Sequence, residues 1–213
     1  MLSDDARMKE KRLLMVDRQI RQRDIRDEKV LKVMEELPRH HFIPRESRSM
    51  AYMDEPVPLG LGQTISQPYI VALMTEKLDL QPEHEVLEIG YGCGYQTAIL
   101  ARLCKRVYSI EVLEELAQRG RENVESLGIT NVEYHTGDGR QGWPEAREFD
   151  RILIAAATKE VPPALIEQLK DGGKMVLPVD EWSGQSLLLL EKKGQEIVRN
   201  FVCYCRFVRL VHK

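Results

Sequence analysis

The chain has 213 residues, 43% of them hydrophobic and 31% charged, with a formal net charge of −3. This length suits one domain with a substantial core, or a core domain with small additions. The interspersed charges give no basic footprint of the kind nucleic-acid binders carry, and no apolar run is long enough to cross a bilayer. The N-terminal stretch MLSDDARMKEKRLLMVDRQ is too charged for a secretory signal, which argues for the cytoplasm. The cysteines agree. Cys93 and Cys104 stand apart, and Cys203 and Cys205 form a C-x-C pair without zinc spacing. In a strand these last two share a face and read as small buried apolar groups. No metal site is expected.

Taken in chain order, Ser3-Asp4-Asp5 offers a cap for a first helix carrying Leu13, Val16 and Ile20 on one face. A second helical pattern holds Val30, Val33, Met34 and Leu37 and is stopped by Pro38. The next stretch, PRHHFIPRESRSMAYMDEPVPLGLGQTISQP, is rich in Pro and Gly and too long for an idle connection, so a functional loop is expected. Its aromatics Phe42 and Tyr52, and Tyr69 just after it, argue against disorder. Adjacent His40 and His41 point in different directions and read as local hydrogen-bonding groups rather than metal or acid–base residues.

From Pro68 onward helix and strand alternate. Ile70, Leu73, Met74 and Leu78 mark a helix, HEVLEIG a buried strand, and Ile99, Leu100 and Leu103 the next helix. RVYSIE is a strand, and Leu113 to Leu127 a helix closed by Gly128. NVEYHT, DRILIAAA and GKMVLPV are further strands, with a helix over 163–170 before the last. This alternation implies an α/β fold with a mostly parallel sheet and helices on both faces. After Val179 two strand-like runs flank Lys193-Gly194 and read as an antiparallel hairpin at the sheet edge. Asp150, at the start of its strand, sits away from the strand ends where ligands gather and reads as structural.

The most informative stretch is VLEIGYGCGYQTA, which runs from a strand through Gly90, Gly92 and Gly94 into a helix. Glycines allow the tight turn and a close ligand approach. A dinucleotide site requires G-x-G-x-x-G, but here Tyr95 holds the third glycine position of that pattern and the glycine comes one residue early. G-x-G-x-G resembles motif I of class I methyltransferases, whose cofactor carries no phosphate. Three acids end three successive strands. Glu88 can face the cationic ammonium and sulfonium of S-adenosylmethionine. Glu111 can accept both ribose hydroxyls, and Asp138, next to Gly139, can accept from the adenine amino group. Each alone reads equally as a surface carboxylate or helix cap; together with the glycine loop they point to one cofactor site, because ligands of open α/β sheets bind outside these strand ends.

The sequence resembles the bacterial protein-L-isoaspartate O-methyltransferases from about residue 12 to residue 211. The most specific match is GQTISQP, residues 62–68; others are VLEIGYGCGYQTAILA, GDGRQGW, FDRILIAAA, VPPALIEQLKDGGKMVLPV and RFVRLV. The resemblance implies a doubly wound Rossmann-like domain. It would be one S-adenosylmethionine-dependent unit, divided into N-terminal helices and substrate loop (1–67), core (68–179) and C-terminal edge strands (180–213). It implies S-adenosyl-L-homocysteine as product and isoaspartyl proteins and peptides as substrates, with a monomer, no nucleic acid and no membrane expected. Carried over position by position, it makes Ser66 the active-site serine, sets Thr64 beside the same substrate carboxylate and lays the backbone of Val208 along the substrate peptide. Gly90, Gly92, Cys93, Gly94, Glu111, Asp138 and Gly139 hold the cofactor. The chain departs from the family pattern at Tyr91 (usually Thr or Ser), Cys93 (usually Ser), Thr158 (commonly Pro) and Arg209 (the Pro of R-F-V-P-L). The last change frees φ and adds an N–H in the tail.

The chemistry suits these residues. The α-carboxylate of an isoaspartyl residue, with an ordinary pKa of about 4, is already ionised at neutral pH and needs no general base. Orientation by the hydroxyls of Thr64 and Ser66, beside a helix opened by Pro68, is the remaining task; helix N-termini favour anions by about 0.3–1 kcal/mol. On the residues alone Ser66 reads more readily as a helix cap, and the family resemblance shifts the reading toward a substrate role. Two rival functions stay open at this point. One is a methyltransferase acting on RNA or a small molecule; an amide or base N-methyltransferase would often carry N-P-P-Y or D-P-P-Y where this chain has AAATKEVPP. A non-catalytic binding protein could keep the fold.

Overall fold

The computed structural model describes residues 6–182 and 184–211, so the expected Ser3-Asp4-Asp5 cap lies outside the described residues. The architecture is built on a seven-stranded sheet of order β5-β4-β3-β6-β7-β8-β9. Its strands are β3 (Glu85–Ile89), β4 (Arg106–Glu111), β5 (Val132–Thr136), β6 (Phe149–Ile154), β7 (Leu169–Glu181), β8 (Gly184–Lys193) and β9 (Glu196–Cys205). β5 through β7 run parallel, because each is followed or preceded by a crossover long enough to return the chain. β8 and β9 are antiparallel and form the expected edge hairpin, turned at Gly194 with φ +60°. Cys203 and Cys205 share a face of β9 but are half-buried rather than buried, since an edge strand has a neighbour on one side only.

The chain leaves β3 toward β4 and β5, then returns to the other side of β3 with β6. That reversal opens a crevice at the carboxyl ends of β3 and β6, the usual ligand position in such sheets. The two sheet faces are covered unequally. One face packs against α3 (Pro68–Leu78), α4 (Tyr95–Leu103) and α5 (Glu114–Ser126) and against the N-terminal helices, in a single apolar cluster that includes Met15, Leu31, Met74, Leu100, Val124 and Leu187. The other face is covered by Trp143, Val161 and Leu165, the last on the short α6 (Pro163–Glu167). The helix expected over 163–170 is thus shorter than its sequence pattern. Leu169 is fully buried and pairs with Phe149 in the sheet, so sheet pairing overrides helix propensity there.

The N-terminal segment departs from expectation in register. α1 (Ala6–Met15) passes directly into a π-helical turn, Val16–Arg21. The extra residue per turn rotates the apolar stripe. Val16 and Ile20 are buried as expected, whereas Leu13 is 42% exposed and Arg12 and Met15 take the inward positions. α2 (Glu28–Glu36) is capped by Asp27, whose side chain accepts from the backbone of Lys29 and Val30. The expected loop after Pro38 is built of two short 3-10 turns, Arg39–Phe42 and Arg45–Met50, and a small hairpin of β1 (Val57–Gly60) and β2 (Gln63–Ile65). No helix among the described residues is long and apolar enough to cross a membrane.

Candidate active site

The glycine loop closes on itself by elementary constraints. Gly90, Gly92 and Gly94 have φ of +81°, +55° and +87°, values that L side chains rarely adopt. Gly90 N–H donates to the Ile110 carbonyl at 2.8 Å and Gly94 N–H to the Tyr91 carbonyl at 2.9 Å. At Gly90 no heavy atom lies within 4 Å of where a Cβ would stand, so its bare backbone faces open space. At Gly94 the reason is different. A Cβ there would meet the Gly120 carbonyl and Val124 at 2.6 Å, so this glycine exists to let α5 approach.

The three acids occupy three environments. Glu111, at the end of β4, is buried and lines the cleft. Its Oε2 accepts from Gly92 N–H at 3.0 Å, and its Oε1 accepts from Val112 and Leu113 N–H at 2.9 and 3.0 Å. It therefore shapes the loop as well as presenting a carboxylate. Glu88 does not line the cleft. Strand alternation turns it to the α4 face, where its Oε2 accepts from the hydroxyls of Thr97 and Ser109, both at 2.7 Å. Its Oε1 is buried with no partner among the described residues, and burial pushes its pKa up to about 7. Asp138 lines an adjoining cavity rather than the main cleft. It caps the turn Gly139–Gln141 and pairs with Arg140 at 2.6 Å. Gly137 and Gly139 on either side of it do reach the cleft.

The cleft spans about 870 Å³ with its open mouth included. Gly90, Gly92, Cys93 and Glu111 line it, and so do Thr64, Ser66 and Val208. Gly94 is not part of the lining. α3 takes Gln67 as its N-cap without any side-chain cap bond, so the helix-cap reading of Ser66 does not hold. The tail is held by a parallel bridge. Ala157 N–H donates to the Val208 carbonyl and Leu210 N–H to the Ala157 carbonyl, both at 2.8 Å. Arg209 pairs with Asp180 at 3.2 Å, and the tail keeps its place without the proline.

The departures in the loop have local accounts. The Tyr91 ring lies over Gly120, and its hydroxyl donates to the Ala117 carbonyl at 3.0 Å. Burial pushes the Cys93 thiol up to about 11, which keeps it protonated and inert. His40 bonds Tyr52 within the loop, whereas His41 bonds Ser126 at the end of α5, a tertiary contact rather than a local one. Asp150 accepts from Glu85 N–H and Lys170 Nζ, both at 2.8 Å, and is structural. Sequence reasoning missed Val112, Leu113, Ala155 and Ala156, which line the cleft just past strand ends; their position after β4 and β6 was the available signal. It also missed Arg39, buried behind Ser66, for which a polar loop residue gives no signal.

An open glycine backbone, an acid held at the next strand end and an apolar lining from Ile110, Leu116 and Met74 fit a nucleoside with a cationic sulfonium side chain. The fold and this cleft define a class I S-adenosylmethionine-dependent methyltransferase. Residues 9–213 match the family described as protein-L-isoaspartate(D-aspartate) O-methyltransferase, and the chain belongs to that family. It is 50% identical over 183 residues to protein-L-isoaspartate O-methyltransferase 2 of Shewanella sediminis, covering 85% of this chain and 75% of that one. It is 48% identical over 195 residues to the Opitutus terrae protein-L-isoaspartate O-methyltransferase, covering 91% and 84%. A solved protein-L-isoaspartate O-methyltransferase superposes with a TM-score of 0.82 at 31% identity, over 94% of this chain and 65% of that longer one. A Plasmodium falciparum protein solved with S-adenosyl-L-homocysteine shares the fold, with a TM-score of 0.83 at 24% identity over 95% and 99% of the two chains.

Proposed function

We propose that the chain transfers a methyl group from S-adenosylmethionine to the free α-carboxylate of L-isoaspartyl residues in damaged proteins, with Ser66 and Thr64 orienting that carboxylate. The observation that carries these roles is that both hydroxyl-bearing residues line the same cleft as the glycine loop and Glu111. Glu111 holds the ribose, and the backbone of Gly90 and Gly92 makes room for the cofactor's chain. Asp138 and Gly139 bound the adenine side, and Glu88 supports the loop from beneath the sheet end. When bound, S-adenosylmethionine supplies an electrophilic methyl group. The chain's own part is to align one carboxylate oxygen and exclude water, an orientation effect that supplies roughly 7–11 kcal/mol in favourable systems. The α-carboxylate is already ionised at neutral pH, so this reading asks no general base of the cleft. The free α-carboxylate of the isoaspartyl linkage sits one methylene nearer the main chain than an aspartyl side-chain carboxylate, and Val208 in the tail lies where the substrate backbone would run.

The segments 1–67, 68–179 and 180–213 act together as one domain, since all three contribute residues to the cleft. The net charge of −3 supports protein rather than nucleic acid as partner, and free thiols at all four cysteines suit the reducing cytoplasm. The test is labelled-methyl transfer to matched peptides that differ only in the linkage. Strong preference for the isoaspartyl isomer is expected, because misplacement by about 1 Å costs on the order of a hundredfold in rate. Equal labelling of both isomers would defeat the assignment, as would labelling of RNA or a small acid instead.

A further inference from the structure

Arg39 is fully buried and touches three segments, two of which, at Ser66 and Tyr95, line the cleft. Its Nε–H donates to the Ala51 carbonyl at 2.8 Å and its Nη2–H to the Ser66 carbonyl at 2.7 Å. Its Cζ lies 5.0 Å from the ring centroid of Tyr95, the residue that follows Gly94 and opens α4. Its Nη1 is buried without a partner among the described residues. Burying a cation is unfavourable unless it is paired, and burial pushes this guanidinium below its usual range. Its bonded partners are carbonyl oxygens, not carboxylates. An arginine in that setting does more than fill space. Its planar fork reaches two acceptors at fixed angles, and its charge has the sign that favours an anion at the neighbouring hydroxyls.

We propose that Arg39 is a positioning residue for methyl transfer, fixing the Ser66 backbone against the wall of the glycine-loop helix and so setting where the substrate carboxylate is held. This rests on the assignment of Ser66 to the substrate carboxylate. The glycine loop has separate anchors. Gly92 is held by Glu111, and the Cys93 carbonyl accepts from Asn123 Nδ2 at 3.0 Å. Tyr95 is packed against Phe42 with ring centroids 5.3 Å apart. The Ser66 carbonyl, by contrast, accepts from Arg39. Loss of the fork therefore releases the substrate side of the cleft and leaves the cofactor side standing.

The experiment is a double-mutant cycle with Arg39→Lys, Arg39→Gln and Ser66→Ala, on full-length protein. Turnover of an isoaspartyl peptide is read beside S-adenosyl-L-homocysteine affinity and circular dichroism. The Arg39 variants are expected to bind S-adenosyl-L-homocysteine nearly as the parent does. Their kcat/KM should fall by about tenfold to a hundredfold, as for a displacement of up to about 1 Å, with Lys less affected than Gln. The loss should shrink in the Ser66→Ala background, because residues that act through one another are not additive. A full and equal loss in both backgrounds overturns the proposal, as does unchanged turnover or a parallel loss of cofactor affinity. Failure of both variants to fold assigns Arg39 to folding alone and also overturns it. If Ser66→Ala is itself fully active, the Ser66 assignment fails, and the proposal with it.

Discussion

Glu88 and Glu111 stand at the ends of neighbouring strands, yet strand alternation sends their side chains to opposite tasks. Glu111 accepts three backbone N–H groups at the cleft. Replacing it with alanine should free Gly92 and remove the ribose acceptor together. Charge-assisted hydrogen bonds contribute about 1.5–3 kcal/mol each, so S-adenosyl-L-homocysteine affinity should fall by about tenfold or more. Calorimetry on the folded variant checks this, and an unchanged affinity removes Glu111 from the cofactor site. Glu88 meets two hydroxyls but no cation, and burial raises its pKa from 4.5 to about 7. A raised carboxyl pKa means that the folded state holds this proton while the unfolded chain has lost it. Its stabilising contribution is therefore full below about pH 4.5 and is lost as pH climbs through about 7. Glu88→Gln should remove this slope, with a gain of up to about 3 kcal/mol at pH 8 relative to the parent. Denaturant melts of the ligand-free protein between pH 5 and pH 8 read it; parallel curves for parent and variant would show that Glu88 stays ionised throughout.

At the scale of elements, the glycine loop and α5 are one packed unit. Gly94 and Gly120 face each other, and a Cβ on Gly120 would press on the Gly92 carbonyl and the Tyr91 ring. Gly120→Ala should therefore lower stability by about 1–3 kcal/mol, the usual result of overpacking. It should weaken cofactor binding as well, because the displaced atoms belong to the loop. Thermal melts and calorimetry on the same variant test the pairing; a stability loss with full cofactor affinity would separate the helix from the site. This contact explains what was legible in the sequence. The strand–loop–helix unit was readable because each part carries its own period: buried β3, three glycines, then the α4 stripe. The hairpin around Gly194 was readable for the same reason. The segment 38–67 was legible as functional but not as structure. Its 3-10 turns and the β1–β2 pair have no period to read, and its shape is fixed by distant bonds such as Arg39 to Ser66. The π turn that exposes Leu13 and the shortening of α6 at Leu169 were equally hidden, since both follow from tertiary packing rather than local pattern. Among the acids, alternation within the sheet turns Glu88 away from the cleft, whereas Asp138, two residues past the end of β5, is drawn to the cap of the Gly139–Gln141 turn and to Arg140.

For the whole molecule, one apolar cluster runs from Met15 in the N-terminal helices through Leu100 in α4 to Leu187 in the edge hairpin. Segments sharing a core unfold together when no independent core remains to any of them. The proposed single domain should thus give one thermal transition, coincident in circular dichroism and in tryptophan fluorescence, although Trp143 is buried and Trp182 is exposed. Two separated transitions would split the chain into independent units. A ligand that binds only the folded state must move that single transition as a whole. At a concentration about 100 times its Kd, S-adenosyl-L-homocysteine should add about 2.7 kcal/mol. For a chain of this length that corresponds to roughly 5–10 °C in Tm. NAD should leave Tm unchanged, because the loop brings its third glycine one residue early and presents Tyr95 where a pyrophosphate-binding turn needs glycine. The same scan on Glu111→Ala, at the same ligand concentration, should show a smaller shift, in proportion to the lost affinity. A shift with NAD and none with S-adenosyl-L-homocysteine would overturn the cofactor assignment. A shift that moved only one of two transitions would instead locate the cofactor site in one segment and exclude the others from it.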